Sequence, residues 1–280
     1  MALFKAWCAG TKDKSKKKTF RTYSEKDGGR AAVLTQLGEA VRTHYDQADR
    51  IADDVARLGY DGASEILRAL LPQSKRARSG DLGEVLASDL VEEDMGFHIP
   101  VRRMRVRDAR EVAMRGDDFI GVGYDPDEKL WLLKGESKSR ANLGNVTIAE
   151  AREALNRYGG RCTPDSLLFI ANRLLESADK DDIELGRTIR DEVGLKALRA
   201  NRIDHMLFTV SGNAPAAKLQ KNLEEAGDDR NQHVVSLHIE DHQAFIAEVY
   251  EEAMNVGPPR CPPRPPPTPR RCPPPHPRPP

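Results

Sequence analysis

The stretch Arg115-Gly-Asp-Asp-Phe-Ile-Gly-Val-Gly-Tyr124, then Asp125-Pro-Asp-Glu128, then Leu130-Trp-Leu-Leu-Lys-Gly-Glu-Ser-Lys138, decides how this 280-residue chain reads. Two short apolar runs flank a segment of turn formers. Asp favours the first position of a β-turn and proline presets the φ of the second, so the two runs predict a hairpin. With the turn centred near Pro126-Asp127, position 118 lies opposite 135 or 136. Directly opposed residues share a face with Cβ atoms ~5 Å apart, which makes Asp118 and Glu136 cross-strand neighbours. Glu136 and Lys138 share a face by the strand period of two.

Two carboxylates forced together repel, and burying them is costly unless they are paired or bound to a cation. A hard divalent ion, Mg²⁺ (or Mn²⁺), fits two carboxylates plus waters. Lys138 beside that ion would stabilise a metal-bound hydroxide or the charge developing on a phosphate. The same residues also read as a salt bridge of Lys138 with Glu136 or Asp118 on an ordinary strand, because Glu-x-Lys is common by chance.

Working outward, Ser79-Gly-Asp81 opens an amphipathic helix through Leu82, Val85, Leu86 and Leu90. Before it, residues 30–71 are helical in pattern, broken at Gly59 and Gly62 and ended by Pro72. Residues 98–106 alternate like a strand. Beyond the hairpin the pattern predicts a helix over 147–158, an apolar strand over 166–171 and a helix over 180–200. Strands over 206–210 and 234–237 and a closing helix over 243–254 follow. Apolar strands separated by helices predict an α/β fold, a mixed sheet flanked by helices.

The formal charge of zero, from 44 basic and 44 acidic side chains, is a cancellation. Residues 1–30 carry +6, residues 257–280 carry +5, and the remaining 226 carry -11. That excludes a uniformly basic coating protein and an acidic disordered chain. Residues 1–29 read as a basic flexible N-terminal arm and 30–256 as a single domain. Residues 257–280 hold 14 of the 19 prolines and read as a disordered Pro/Arg-rich tail, since proline cannot join a helix interior or a sheet ladder. No apolar run approaches the ~18 residues of a membrane span. With no signal segment, and four cysteines at no metal or disulfide spacing, a cytoplasmic protein with reduced thiols is expected. No phosphate-binding Gly-Lys-Ser/Thr loop is present, so no ATPase activity is expected of this chain.

Asp118 and Glu136-Ser-Lys138 on successive strands, after a helix bearing Glu84, resemble the PD-(D/E)XK nuclease superfamily, whose restriction-endonuclease-like core runs helix, three strands, helix, strand. More narrowly, Gly80-Asp-Leu-Gly-Glu84, Arg115-Gly-Asp-Asp-Phe-Ile-Gly121 and Gly135-Glu-Ser-Lys-Ser-Arg140 resemble the HamA family, nuclease subunits of Hachiman antiphage defence systems. The resemblance covers roughly residues 20–256. It divides the domain into a helical part (30–78), a nuclease core (79–175) and a helix and strand completion (176–256). It implies a Mg²⁺-dependent DNA endonuclease or nickase. Asp118 and Glu136 would hold the metal, Lys138 would position or activate the attacking water, and Glu84 would complete the shell directly or through water. Strand alternation sends Asp117 to the other face, but a one-residue slip would exchange the two aspartates, so both stay open as the ligand. The family also implies a partner, a superfamily 2 helicase subunit, HamB. A catalytically inactive nuclease-fold DNA-binding or regulatory subunit and a stand-alone restriction-type nuclease are the alternatives.

Arg102, Arg103, Arg105, Arg115 and Arg140 are the candidates for DNA phosphate contact. The alternating arginines equally read as an exposed strand paired with acidic helices. Few aromatics accompany them, so base stacking is not expected.

Overall fold

The protein's computed structural model describes residues 2–257 apart from Asp108 and Ala113. The chain begins with α1 (Leu3–Trp7), β1 (Cys8–Ser15) and β2 (Lys18–Glu25), then α2 (Gly29–Tyr45), α3 (Ala48–Leu70) and α4 (Lys75–Asp94). The hairpin is β3 (Phe119–Tyr124) and β4 (Leu130–Arg140). Helices α5 (Asn145–Asn156), α6 (Pro164–Leu175) and α7 (Lys180–Leu195) lead to β5 (Ile203–Ser211), α8 (Ala216–Glu225), β6 (Gln232–His238) and α9 (His242–Met254).

The six strands form one mixed sheet in the order β1-β2-β6-β5-β4-β3. The outer pairs β1/β2 and β3/β4 are antiparallel; the inner pairs are parallel. Such inner strands must be apolar on both faces, and β5 is buried at all nine positions. Its Met206, Phe208 and Val210 pack with Leu86, Leu90, Phe245 and Tyr250 from α4 and α9. Leu207 points the other way, onto Ile148 and Leu155 of α5 and Leu219 of α8. Farther along that second face, Ile120, Leu132 and Ile203 meet Leu167 and Ile170 of α6 and Ile189 of α7.

Three expectations are corrected. Residues 1–29 do not form a flexible arm from Leu3 onward. Trp7 is fully buried and stacks on Phe245 at 5.3 Å, with Leu3 and Phe4 in the same core. Buried Arg21 of β2 pairs with Asp94 of α4 at 3.2 Å, and β2 runs parallel to β6. Only β1 after Cys8 is exposed on both faces, and charged side chains on such an edge strand discourage pairing with another chain.

Residues 98–106 are not a strand. His98 makes a single bridge to Val122, with backbone bonds of 2.8 and 2.7 Å, and Arg103–Val106 is a 3₁₀ turn. Residues 166–171 are helical: Pro164 occupies the first turn of α6 and the Thr163 side chain accepts from the Ser166 N–H. The expected tail lies outside the described residues from Pro258 onward. Among the described residues, no helix is long and apolar enough to cross a membrane.

Candidate active site

The hairpin register fixes the site. Phe119 pairs with Gly135, so Asp118 stands level with Glu136, one residue before the ladder starts. The Asp118 carboxylate accepts a 2.8 Å hydrogen bond from the Ser137 N–H. Glu136 is buried, and the Lys138 ammonium, half-buried two residues on, donates to its carboxylate. Glu84 arrives from α4. That helix crosses β4 so closely at Gly83 that an added Cβ would lie 2.6 Å from Ser137 Oγ. A side chain there would push Glu84 away from Asp118.

The electrostatics follow from this crowding. Burial, and then the Asp118 charge, push the Glu136 pKa up to about 7 against the pull of Lys138. Burial and Asp118 also hold Glu84 well above the usual carboxylate range, with Arg103 opposing. Burial raises Asp118, while Lys138, the Ser137 N–H and Arg103 lower it. All three carboxylates therefore bind a proton more readily than in water, because each lacks solvent and Glu84 and Glu136 also face the Asp118 charge.

Asp117 points elsewhere. Its carboxylate accepts from the Thr163 N–H at 2.6 Å and pairs with buried Lys134 at 3.6 Å. Its own N–H donates to Ser166 Oγ at 2.9 Å. The two adjacent aspartates thus take different partners: Asp117 ties β3 to α6, and Asp118 faces Glu136. Lys134, two residues before Glu136, also donates to the Arg157 and Arg161 carbonyls at 3.2 and 2.9 Å.

The arginines divide in two. Arg102 pairs with Glu92. Arg103 donates to the carbonyls of Asp117, Asp118 (2.9 Å) and Arg115 (2.7 Å), and Arg105 to the Thr43 carbonyl (2.9 and 2.6 Å). These three tether the segment ahead of β3. Arg115 and Arg140 are exposed. Arg140 edges a cleft of about 350 Å³ that holds Arg76, Glu84, Asp118 and Lys138. Arg115 edges a second, of about 550 Å³, that holds Asp118, Glu136, Lys138, Arg157 and Tyr158. The carboxylates sit where the two clefts meet. Among the described residues, no three His, Cys, Asp or Glu side chains form a ready-made metal cage.

A family model described as HamA matches residues 1–253. The chain belongs to the HamA family. The match takes in the N-terminal helix and hairpin as well as Glu84, Asp118, Glu136 and Lys138, so residues 1–25 are part of the HamA domain. The chain is also similar to a Hachiman protein HamA from Bacillus cereus, 30% identical over 185 residues. That match covers 66% of this chain and 64% of the relative, so slightly less than two thirds of the relative's length is spanned.

Sequence reasoning missed Lys134 and Tyr158 at this candidate site, and the part played by Arg107. Lys134 looked like one more polar position on a strand, yet it is 1% exposed; an isolated lysine inside an apolar run was the available signal. Arg107 grips Asp81 through two 2.7 Å bonds, which braces the helix carrying Glu84. Tyr158 had no signal, since no periodicity marks the cleft it lines.

Proposed function

We propose that this chain is a divalent-metal-dependent DNA endonuclease or nickase with a PD-(D/E)XK core, acting in Hachiman antiphage defence beside a helicase partner. The observation that carries the reading is the meeting of Glu84, Asp118 and Glu136 with Lys138 at one end of the β3–β4 hairpin. The order of elements supports it. Helix α4, the His98 bridge, β3, β4, α5 and parallel β5 follow the superfamily's helix, three strands, helix, strand. The first strand is reduced to one bridge, and α6 and α7 are inserted before β5.

The donor set fits a hard divalent cation. It consists of carboxylate oxygens only, which suit a hard cation, and burial makes them costly to keep ionised without a counter-charge. Asp118 and Glu136 would hold Mg²⁺ or Mn²⁺, with waters completing the shell, and Glu84 would bind one of those waters. Bound there, the ion supplies Lewis-acid stabilisation of the phosphate and a more acidic water.

The chain's own groups do the rest. With Glu136 taken up by a cation, Lys138 would be free of it, and its ammonium would hydrogen-bond the water that attacks phosphorus. Ser137 N–H keeps Asp118 aimed at the site. Arg115 and Arg140, one on each cleft, neutralise phosphates on either side of the cut. Glu84, when ionised, would accept the proton released by that water, and burial beside Asp118 raises its affinity for that proton.

One observation favours a second reading. Lys138 already neutralises Glu136, and the carboxylates form no three-ligand cage. A catalytically inactive regulatory subunit would look like this. Relaxation of supercoiled plasmid by the chain with its helicase partner, with Mg²⁺ or Mn²⁺ and ATP, separates the two. Metal-dependent nicking lost with Glu136→Ala supports the enzyme; DNA binding without nicking under every activating condition supports the regulatory subunit.

A further inference from the structure

The cleft shared by Glu136 and Lys138 carries an exposed aromatic side chain on an unusual backbone. Tyr158 is 60% exposed and lines the cleft beside Arg115 and Arg157. Its φ of 56° and ψ of 33° place it in the left-handed region, which bulky residues rarely occupy and which costs free energy. Gly159 and Gly160 continue that path at φ 65° and 76°.

The conformation is imposed from below. Buried Arg230 donates to the Gly159 carbonyl at 3.1 Å and the Gly160 carbonyl at 2.5 Å. A Cβ at Gly160 would lie 2.6 Å from that guanidinium. Buried His205 Nε2 meets the same Gly160 oxygen at 2.8 Å. Lys134 takes the carbonyls of Arg157 and Arg161. Buried donors thus draw the peptide oxygens of residues 157, 159, 160 and 161 inward, and the Tyr158 ring is left at the cleft. A ring mostly in water adds little to the core, so the strain has a return only if the ring meets something outside.

We propose that Tyr158, with Arg157 beside it, is a stacking platform for an unpaired nucleotide of the strand being cut. This rests on the nuclease reading of Asp118, Glu136 and Lys138. Bases inside a duplex are already stacked on one another and cannot use the ring, whereas bases at frayed ends, gaps and single strands can. Stacking on an aromatic face tolerates any base, so the platform selects strand state without reading sequence. Arg115 and Arg157 take the adjoining phosphates. Glu150 and Asp165 on the same cleft repel phosphate and confine the backbone to the arginine side. Such a platform would depart, at this one aromatic, from the expectation of no base stacking.

The test is binding of the full chain, in EDTA so that nothing is cut, to a short single strand carrying a fluorescent adenine analogue and to a blunt duplex. Wild type should bind the single strand more tightly and quench its fluorescence. Tyr158→Ala should weaken single-strand binding about tenfold and remove the quench, while changing duplex binding less than about twofold. Tyr158→Trp should keep both. Tyr158→Asn, which tolerates a left-handed backbone, should fold and behave as the alanine variant does. Equal binding by wild type and Tyr158→Ala, or no single-strand preference in wild type, overturns the platform.

Glu136→Gln run alongside separates the two ideas. If it stops plasmid cleavage but no quench is seen in wild type, only the platform falls. If it cleaves normally, the nuclease site falls whatever the quench shows.

Discussion

The Asp118 carboxylate accepts a 2.8 Å hydrogen bond from the backbone N–H of Ser137 across the β3–β4 hairpin. This bond holds an acid level with Glu136 and near Glu84, where burial disfavours its charge and Lys138 and Arg103 oppose that effect. On the proposed reading, a cation would sit between the like charges that this hairpin sets side by side.

Asp118→Asn keeps an oxygen to accept the Ser137 N–H and removes one clustered charge. Its metal-free unfolding midpoint should equal or exceed that of wild type, by thermal denaturation followed by circular dichroism. The rise in midpoint on adding Mg²⁺ should disappear. Cleavage should fall about 100- to 1000-fold, the usual cost of losing one electrostatic stabiliser. A variant less stable than wild type without metal would mean that the three acids are not in mutual repulsion.

Lys134→Met leaves Asp117 buried without its cation. Breaking a buried pair from one side costs about 3–5 kcal/mol, so urea denaturation should show a loss of that order. Adding Asp117→Asn should recover much of it, because the Thr163 N–H still finds an oxygen. If Lys134→Met alone is neutral, the pair does not brace the back of the site.

His205 makes folding acid-sensitive. Burial, and the neighbouring Arg230, Lys134 and Arg152 charges, push its pKa down to about 3, although the Gly160 hydrogen bond raises it. The unfolded chain protonates it near its ordinary value of 6.5. Between these values the unfolded state binds the extra proton, so stability is full above 6.5 and declines as pH falls. The decline from this group approaches about 1.4 kcal/mol per pH unit. His205→Gln keeps a donor for Gly160 and should flatten urea-measured stability between pH 7 and 5 by about one proton. An unchanged slope would show that the imidazole is not kept neutral by the fold.

Tyr158→Asn should raise stability by about 1 kcal/mol, the approximate cost of holding a bulky residue left-handed, while weakening single-strand binding. Greater stability with poorer binding separates a functional aromatic from an incidental one; a loss of stability would mean that the ring packs.

What was legible in the sequence follows from how each segment is stabilised. The hairpin was readable because Asp125 and Pro126 dictate a turn locally and the flanking period of two is unbroken. Asp118, Glu136 and Lys138 could therefore be placed together from register alone, whereas Glu84 came only with the family resemblance. Ser166–Ala171 was not readable: a short apolar run suits a buried strand or a buried helix, and only Thr163-Pro164 ahead of it marks a helix start. Arg102, Arg103 and Arg105 imitate strand alternation, but their guanidiniums bond Glu92 and backbone carbonyls, and those partners are remote in sequence. The N-terminal segment misled because β1 is polar on both faces; its attachment depends on Trp7 and Arg21 finding distant partners. Tyr158 owes its position to Arg230 and His205, some 70 and 45 residues away.

The most direct measurement is nicking of supercoiled plasmid by the chain with the proposed helicase partner, under Mg²⁺ and ATP. Wild type is compared with Glu136→Ala and Lys138→Ala, each checked for native circular dichroism and partner binding. Wild type should convert plasmid to nicked or linear forms, EDTA should stop it, and both variants should leave the plasmid intact. Normal cleavage by either folded variant would contradict the assignment of Glu136 and Lys138 to the active site.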